Sequence, residues 1–277
     1  MAQNMKYGIT QWSLPGNSKY AVKYTAEAGL DGLQIDLGST DDGYYMSLKK
    51  VQEDYLADAE RYGITLTSLV LNCVNDYAFA DGEAGGNYKI AMEAMDLSLQ
   101  TAVDMRIELV MVPQFFANEI KDERAFDNSV KVLKEFCRKA GELGLKVASE
   151  TTLSADRQIE LMKAVDMENL TTFYDSQNYY FFSGYSQKET LEKLYPYICD
   201  QMHVKDGPGM DGKGGIMSGA LLGQGDSDFA ATADILKENK FSGWLILENY
   251  YYMEPLRSLG YGQFGDRFTD GAGTSDE

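Results

Sequence analysis

The chain has 277 residues, enough for one large α/β domain with a sizeable core. Its 43 acidic residues against 25 basic ones give a net charge of −18, which argues against binding nucleic acid or anionic membrane through bulk charge. The three cysteines, Cys73, Cys137 and Cys199, lie in or beside apolar stretches without zinc-finger spacing, and are expected to be buried, reduced thiols. No uncharged run reaches the length of a membrane span and no secretory apolar region precedes the first strand, so the expected location is the cytoplasm.

Short apolar β-type runs alternate with amphipathic helical stretches from end to end. Tyr7 to Trp12 reads as the first strand, followed by a helix from about Ser18 to Ala28 and the turn Gly29-Leu30-Asp31-Gly32. The second strand is Leu33 to Leu37. Leu48 to Tyr62 is helical with Gly63 as its cap, and Ile64 to Leu71 is the third strand, rich in Val and Thr. A helix from about Tyr88 to Val103 leads to the fourth strand, Ile107 to Val112, which Pro113 is expected to end. The Lys/Glu-patterned segment Ala125 to Leu143 is the clearest amphipathic helix, closed by Gly144. Four more units follow, the last with a helix from about Phe229 to Asn239 and a strand at Trp244 to Leu247.

These last four strands share a feature. Glu150 closes Leu145 to Ser149, Asp175 closes Leu170 to Tyr174, His203 follows the apolar run Tyr195 to Ile198, and Glu248 closes Trp244 to Leu247. His203 is the only histidine, and the gaps between the four are 25, 28 and 45 residues. A strand, a helix and two short loops take roughly 30 residues, so this cadence fits a (β/α)8 TIM barrel in which successive strand ends donate one group each to a common mouth. Strands apolar on both faces favour a closed parallel sheet over a doubly wound one, and no Gly-x-Gly-x-x-Gly follows the first strand. The barrel is expected as a single domain over residues 1–260, with a Gly- and Asp-rich tail at 261–277.

Three carboxylates and one imidazole make a hard-oxygen ligand set that suits Mn2+ best, then Mg2+, with Co2+ and Zn2+ also accommodated. The long third gap holds Gly207-Pro208-Gly209 and Leu222-Gly223-Gln224-Gly225-Asp226, read as a lid after the histidine strand. Lys205 is expected to pair with Asp206 in preference to supplying charge for a substrate oxyanion. Aromatic residues crowd the expected mouth: Phe115 and Phe116 after the fourth strand, Tyr179 to Phe182 and Tyr185 after the sixth, Tyr250 to Tyr252 after the eighth. Loop packing, an oligomer contact, and stacking on a pyranose ring or a flat aglycone are the alternatives.

From Ala28-Gly29-Leu30-Asp31-Gly32-Leu33 through His203-Val204-Lys205-Asp206 and Leu222-Gly223-Gln224-Gly225-Asp226 to Leu247-Glu248, the chain resembles the xylose isomerase-like TIM barrels, the sugar phosphate isomerase/epimerase family. The resemblance implies that Glu150, Asp175, His203 and Glu248 bind a divalent metal. It further implies that Glu150 and Glu248 act as acid and base on opposite substrate faces, with proton abstraction beside a carbonyl and an enediolate intermediate. Two positions depart from the family pattern. Asn178 stands where many members carry histidine, which leaves it a role in holding a sugar hydroxyl, and Gln34 stands where relatives often have glutamate. A single histidine also disfavours the multi-zinc endonucleases and the xylose isomerases proper.

The expected activity is therefore a metal-dependent isomerase or epimerase of a keto-sugar or related polyol, with Asn178, Lys205, Tyr250 and Phe115 as substrate contacts. Two alternatives stand beside it. One is a lyase of the same fold, a 3-oxo-sugar C-glycoside deglycosidase catalytic subunit or a sugar or inosose dehydratase. The other is a non-catalytic sugar-binding or partner subunit. A sugar or glycoside is the expected small-molecule partner, and a homo-oligomer or a hetero-oligomer with a second subunit is the expected assembly.

Overall fold

A computed structural model describes residues 5–14, 18–209, 217–250 and 258. Eight parallel strands close into a barrel in sequence order, the last pairing with the first. They are β1 (Lys6–Thr10), β2 (Gly32–Asp36), β3 (Thr65–Val70), β4 (Leu109–Gln114), β5 (Lys146–Thr151), β6 (Leu170–Asp175), β7 (Ile198–Val204) and β8 (Trp244–Leu247). The helices between them are α1 (Ala21–Glu27), α2 (Lys49–Tyr62), α3 (Tyr88–Asp104), α4 (Glu123–Glu142), α5 (Ala155–Val165), α6 (Asn178–Ser183), α7 (Gln187–Leu194) and α8 (Phe229–Glu238). This is the single TIM barrel that the alternation of strand and helix implies. The boundary placed at residue 260 and the tail after it lie outside the described residues.

Side-chain alternation along each strand divides the apolar residues between two compartments. Residues pointing outward, such as Leu33, Ile35, Leu69, Val110 and Val112, pack with the helices, as do Met202 and Val204 against Leu191, Leu194, Ile235 and Leu236. Val70, Leu109, Met111, Ala148, Phe173 and Cys199 form a separate cluster within the barrel. All three cysteines are buried free thiols, and burial pushes each up to about 12. Gly8 and Gly32 sit side by side in register on β1 and β2 because β8 fills the space beside them. A Cβ on Gly32 would meet the Trp244 ring at 2.5 Å, and one on Gly8 would meet Ile246 at 2.8 Å.

The elements differ from the sequence reading at their ends. The first strand stops at Thr10, and Gln11–Ser13 form a 3-10 turn that lifts Trp12 over the mouth. The fourth strand runs through Pro113 to Gln114 instead of ending before it. In a parallel strand the N–H and C=O of one residue point to the same neighbour, and Met111 already turns its carbonyl to Leu71 of the β3 side. Pro113 shares that direction, where the ladder to β3 has ended at Val70, so its missing N–H leaves no bond unmade. Helix α4 begins earlier than expected because the Asp122 side chain caps it, accepting from the Ala125 amide at 2.8 Å.

At the carboxyl end of β2, Asp36 ties the first three strand-end loops together. Its carboxylate accepts from the amides of Asn72 (3.2 Å) and Gly38 (3.3 Å), and its own amide donates to Gln11 Oε1 (3.0 Å). Burial pushes the carboxyl up from 3.8 to about 6, against the lowering effect of those amides. A folded pKa above the unfolded one means that this group's stabilising proton is fully present below about 3.8 and is lost as pH rises through about 6. Asp36→Asn, which cannot ionise, should therefore gain relative to wild type by up to about 3 kcal/mol between pH 4 and pH 8. Thermal denaturation at the two pH values checks this; a pH-independent difference would refute the assignment.

Candidate active site

The inward-facing positions of β5 to β8 build the site, because residues two apart on a strand share a face. Ala148 and Glu150 lie on one inward column, Phe173 and Asp175 on the next, and Gln201, His203 and Lys205 on that of β7. Glu150, Asp175 and His203 are 4%, 0% and 1% exposed, and they offer ligand atoms that all lie within 4.8 Å of one another. Glu248 follows β8 directly. His203 Nδ1 is the meeting point, 3.2 Å from Glu150 Oε1, 3.3 Å from Glu248 Oε2 and 3.6 Å from Asp175 Oδ2.

Each carboxylate is held from behind. Asp175 Oδ1 accepts from the amides of Gln177 and Asn178, both at 2.7 Å. Its Oδ2 has no well-oriented hydrogen bond and is left facing His203 and the Lys205 ammonium at 3.0 Å. Glu150 Oε1 accepts from the Asn178 side-chain amide at 3.3 Å, and Glu248 Oε1 from the Trp12 indole N–H at 2.8 Å. Lys205, only 2% exposed, also reaches Glu248 Oε2 at 2.5 Å. The expected pairing of Lys205 with Asp206 is not what forms: neighbours at a strand end point to opposite faces, so Lys205 joins His203 inside while Asp206 turns outward.

The two glutamates are driven apart. Burial raises Glu150, and the lowering pull of His203 does not offset it. Burial would raise Glu248 too, but His203, Lys205 and the Trp12 hydrogen bond outweigh it and hold that carboxyl at about 2. Burial acts to lower His203 and Lys205, and the surrounding carboxylates raise both. Three carboxylates against one ammonium favour the charged form of the imidazole among them, and a divalent cation taking the place of the Nδ1 proton would supply positive charge at the same point, with oxygen and nitrogen ligands.

Above this cluster opens a cavity of about 350 Å3, lined by Glu150, Asn178, His203, Lys205, Glu248 and Trp12 among others. Phe115 and Tyr250 stand in its wall, as do Met217 of the β7–α8 connection and Phe182. Phe115 and Phe182 lie 5.6 Å apart, with Phe116 edge-on to Phe182 at the rim. Phe116 is 66% exposed and held at φ 51°, a left-handed conformation uncommon for a bulky side chain. Tyr179, by contrast, stacks on Tyr174 in the outer core and is 0% exposed. Tyr251 and Tyr252 lie outside the described residues. Asn72, Asn75 and Asp76 also line the cavity and carry no sequence signal, coming from a short 3-10 turn after β3. Trp12 likewise could not have been found from spacing.

The glycine-rich connection is anchored where it is described. The Asp206 carboxylate accepts from the amides of Gly207 (2.9 Å), Gly223 (2.9 Å), Gly225 (3.0 Å) and Ser227 (3.2 Å), and from the Ser227 hydroxyl (2.7 Å). Gly225 is required by that approach, since a Cβ there would meet Asp206 Oδ1 at 2.2 Å. Residues 210–216, the centre of the expected lid, lie outside the described residues. Asp206→Ala should leave these donors without an acceptor, costing on the order of 3 kcal/mol and speeding hydrogen exchange at Gly223, Gly225 and Ser227. Unchanged exchange at those amides would contradict the anchoring role.

The sequence and the fold have parallels. A family model described as xylose isomerase-like TIM barrel matches residues 22–260. The 2-epi-5-epi-valiolone 7-phosphate 2-epimerase of Actinoplanes sp. is 26% identical over 247 residues, 89% of this chain and 87% of that protein. A xylose isomerase domain protein from Planctomyces limnophilus superposes with a TM-score of 0.73 at 19% identity, over 91% of each chain. The IOLI protein with a zinc atom bound superposes with a TM-score of 0.73 at 18% identity, over 97% of this chain and 98% of that one. No helix among the described residues is long and apolar enough to cross a membrane.

Proposed function

This chain belongs to the xylose isomerase-like TIM barrel family, and from that premise we propose that it is a divalent-metal-dependent epimerase or isomerase of a keto-sugar or related polyol, acting by proton abstraction beside a carbonyl. One observation carries the reading: three buried carboxylates converge on a single imidazole nitrogen at the floor of a cavity, with one ammonium among them. The similarity to an epimerase and to a zinc-carrying barrel supports it.

Glu150, Asp175 and His203 would hold the ion, with Glu248 completing the set; the hard-oxygen majority favours Mn2+. A divalent cation held there would supply Lewis acidity to the substrate's oxygens. Every other role falls to the chain. Glu248, kept ionised by Lys205 and Trp12, is the base that takes the proton from the carbon beside the carbonyl, giving an enediolate. Glu150, whose proton is retained more tightly, returns a proton from the other side, because β5 and β8 reach the cavity from different parts of the ring. The Asn178 side-chain oxygen is buried without a donor beside the cavity, and accepts from a sugar hydroxyl. Lys205, 3.0 Å from Asp175 Oδ2 and 2.5 Å from Glu248 Oε2, would donate to a substrate oxyanion formed beside those carboxylates. Phe115, Phe182 and Tyr250 cover the apolar face of the ring and exclude water.

The test is turnover of a panel of ketoses and 3-keto-glycosides in D2O, with chelator-treated protein and with Mn2+ restored. The expected result is a metal-dependent epimer or isomer carrying deuterium at the reacting carbon. Glu150→Gln and Glu248→Gln should each lower turnover by about 100-fold or more while substrate still binds. Release of an eliminated fragment would favour the lyase reading. Binding without turnover or exchange in any condition would favour a partner subunit.

A further inference from the structure

Beneath the carboxylates, inside the barrel, lies a chain of polar side chains that the proposed reaction does not use. Gln34 on β2, Ser68 on β3 and Gln201 on β7 are 0%, 0% and 5% exposed. Gln201 Nε2 lies 2.9 Å from the Thr67 carbonyl, Gln201 Oε1 lies 2.8 Å from Ser68 Oγ, Ser68 Oγ lies 2.9 Å from Gln34 Nε2, and Gln34 Oε1 lies 2.6 Å from His203 Nε2.

Amide orientation and histidine tautomer are ordinarily open to assignment, but here one end of the chain decides them. A backbone carbonyl can only accept, so Gln201 must turn its NH2 to Thr67 and its oxygen to Ser68. The serine hydroxyl must then donate to Gln201, which leaves its lone pairs to accept from Gln34. The second Gln34 amide proton faces Met111 Sδ at 3.7 Å, so the side-chain oxygen is what Gln34 presents to the imidazole. His203 Nε2 has to carry a proton, so Nδ1, 3.2 Å from Glu150 Oε1, is the nitrogen that donates to the carboxylates while the ring is charged and offers a lone pair once that proton leaves.

We infer that Gln34, Ser68 and Gln201 form a one-way hydrogen-bond relay, anchored on the Thr67 carbonyl, that keeps the proton on His203 Nε2 and leaves Nδ1, among the three carboxylates, as the nitrogen that exchanges its proton for a cation. They are positioning residues, since none of the three lines the cavity. Three buried polar side chains filling barrel interior that Leu or Met could occupy make sense if their direction matters: each hydrogen bond is oriented toward the imidazole. For metal affinity the inference rests on the proposed function; for the tautomer it does not.

The single histidine makes the test direct, because 15N-imidazole labelling reports one ring. In metal-free wild type titrated until the ring is neutral, the remaining proton is expected on Nε2. Ser68→Ala touches neither His203 nor the cavity, but frees the Gln34 amide to turn. It should populate the Nδ1–H tautomer and weaken zinc binding, measured by chelator competition, by about 10-fold or more. Gln34→Met should do the same, whereas Gln34→Glu, which still offers an acceptor, should retain the Nε2–H tautomer. Circular dichroism and melting temperature show that the variants are folded. Ser68→Ala and Gln34→Met proteins that keep both the wild-type tautomer and the wild-type zinc affinity would overturn the relay. A wild type that shows the Nε2–H tautomer, loses it in Ser68→Ala, yet binds no zinc would support the relay and sink the metal reading.

Discussion

Three carboxylates pressed around one imidazole nitrogen, at 3.2, 3.3 and 3.6 Å, are an arrangement that a low-dielectric interior tolerates only with compensating positive charge. Lys205 provides one such charge from the same strand as the histidine. What remains is a carboxylate-rich pocket whose ligand atoms are fixed from behind by Asn178, Trp12 and two backbone amides. The groups are thus oriented by the fold before any ligand arrives, which is the condition for tight ion binding and for electrostatic stabilisation of a transition state.

The barrel makes this possible by separating its two jobs. Outward positions pack apolar side chains against the helices and carry the stability; inward positions near the carboxyl ends are released from that duty. The column Gln201, His203 and Lys205 shows the division on one strand. Its lowest member belongs to the relay, its middle member meets the carboxylates, and its uppermost member balances charge. Outward Asp206, next along the chain, serves architecture alone by gathering the start of the β7–α8 connection and the segment around Gly225 onto one carboxylate. A one-residue change in register would exchange these roles.

The barrel and the convergence of Glu150, Asp175, His203 and Glu248 were legible in the sequence because both depend on periodicity: apolar runs spaced at about 30 residues, each ending in a group able to bind metal. Strand alternation also contained the pairing of Lys205, since a residue two after His203 must share its face; adjacency to Asp206 was the misleading signal. Pro113 misled for a similar reason, because its cost depends on which neighbour its missing N–H would have met. Trp12, Asn72, Asn75 and Asp76 could not be found from spacing, as they reach the cavity from irregular 3-10 turns. The partners of Gln34 lie 34 and 169 residues away, and only closure of the barrel brings them together.

The central claim is that His203 Nδ1 and the carboxylates around it form one divalent-cation site. Anomalous diffraction from crystals grown with Mn2+ addresses it most directly. A single strong peak is predicted at about 2.0–2.3 Å from His203 Nδ1 and from oxygens of Glu150 and Asp175, with the Lys205 ammonium drawn off Glu248. A mouth without a peak, or a cation bound elsewhere with Lys205 still bridging Asp175 and Glu248, would contradict it.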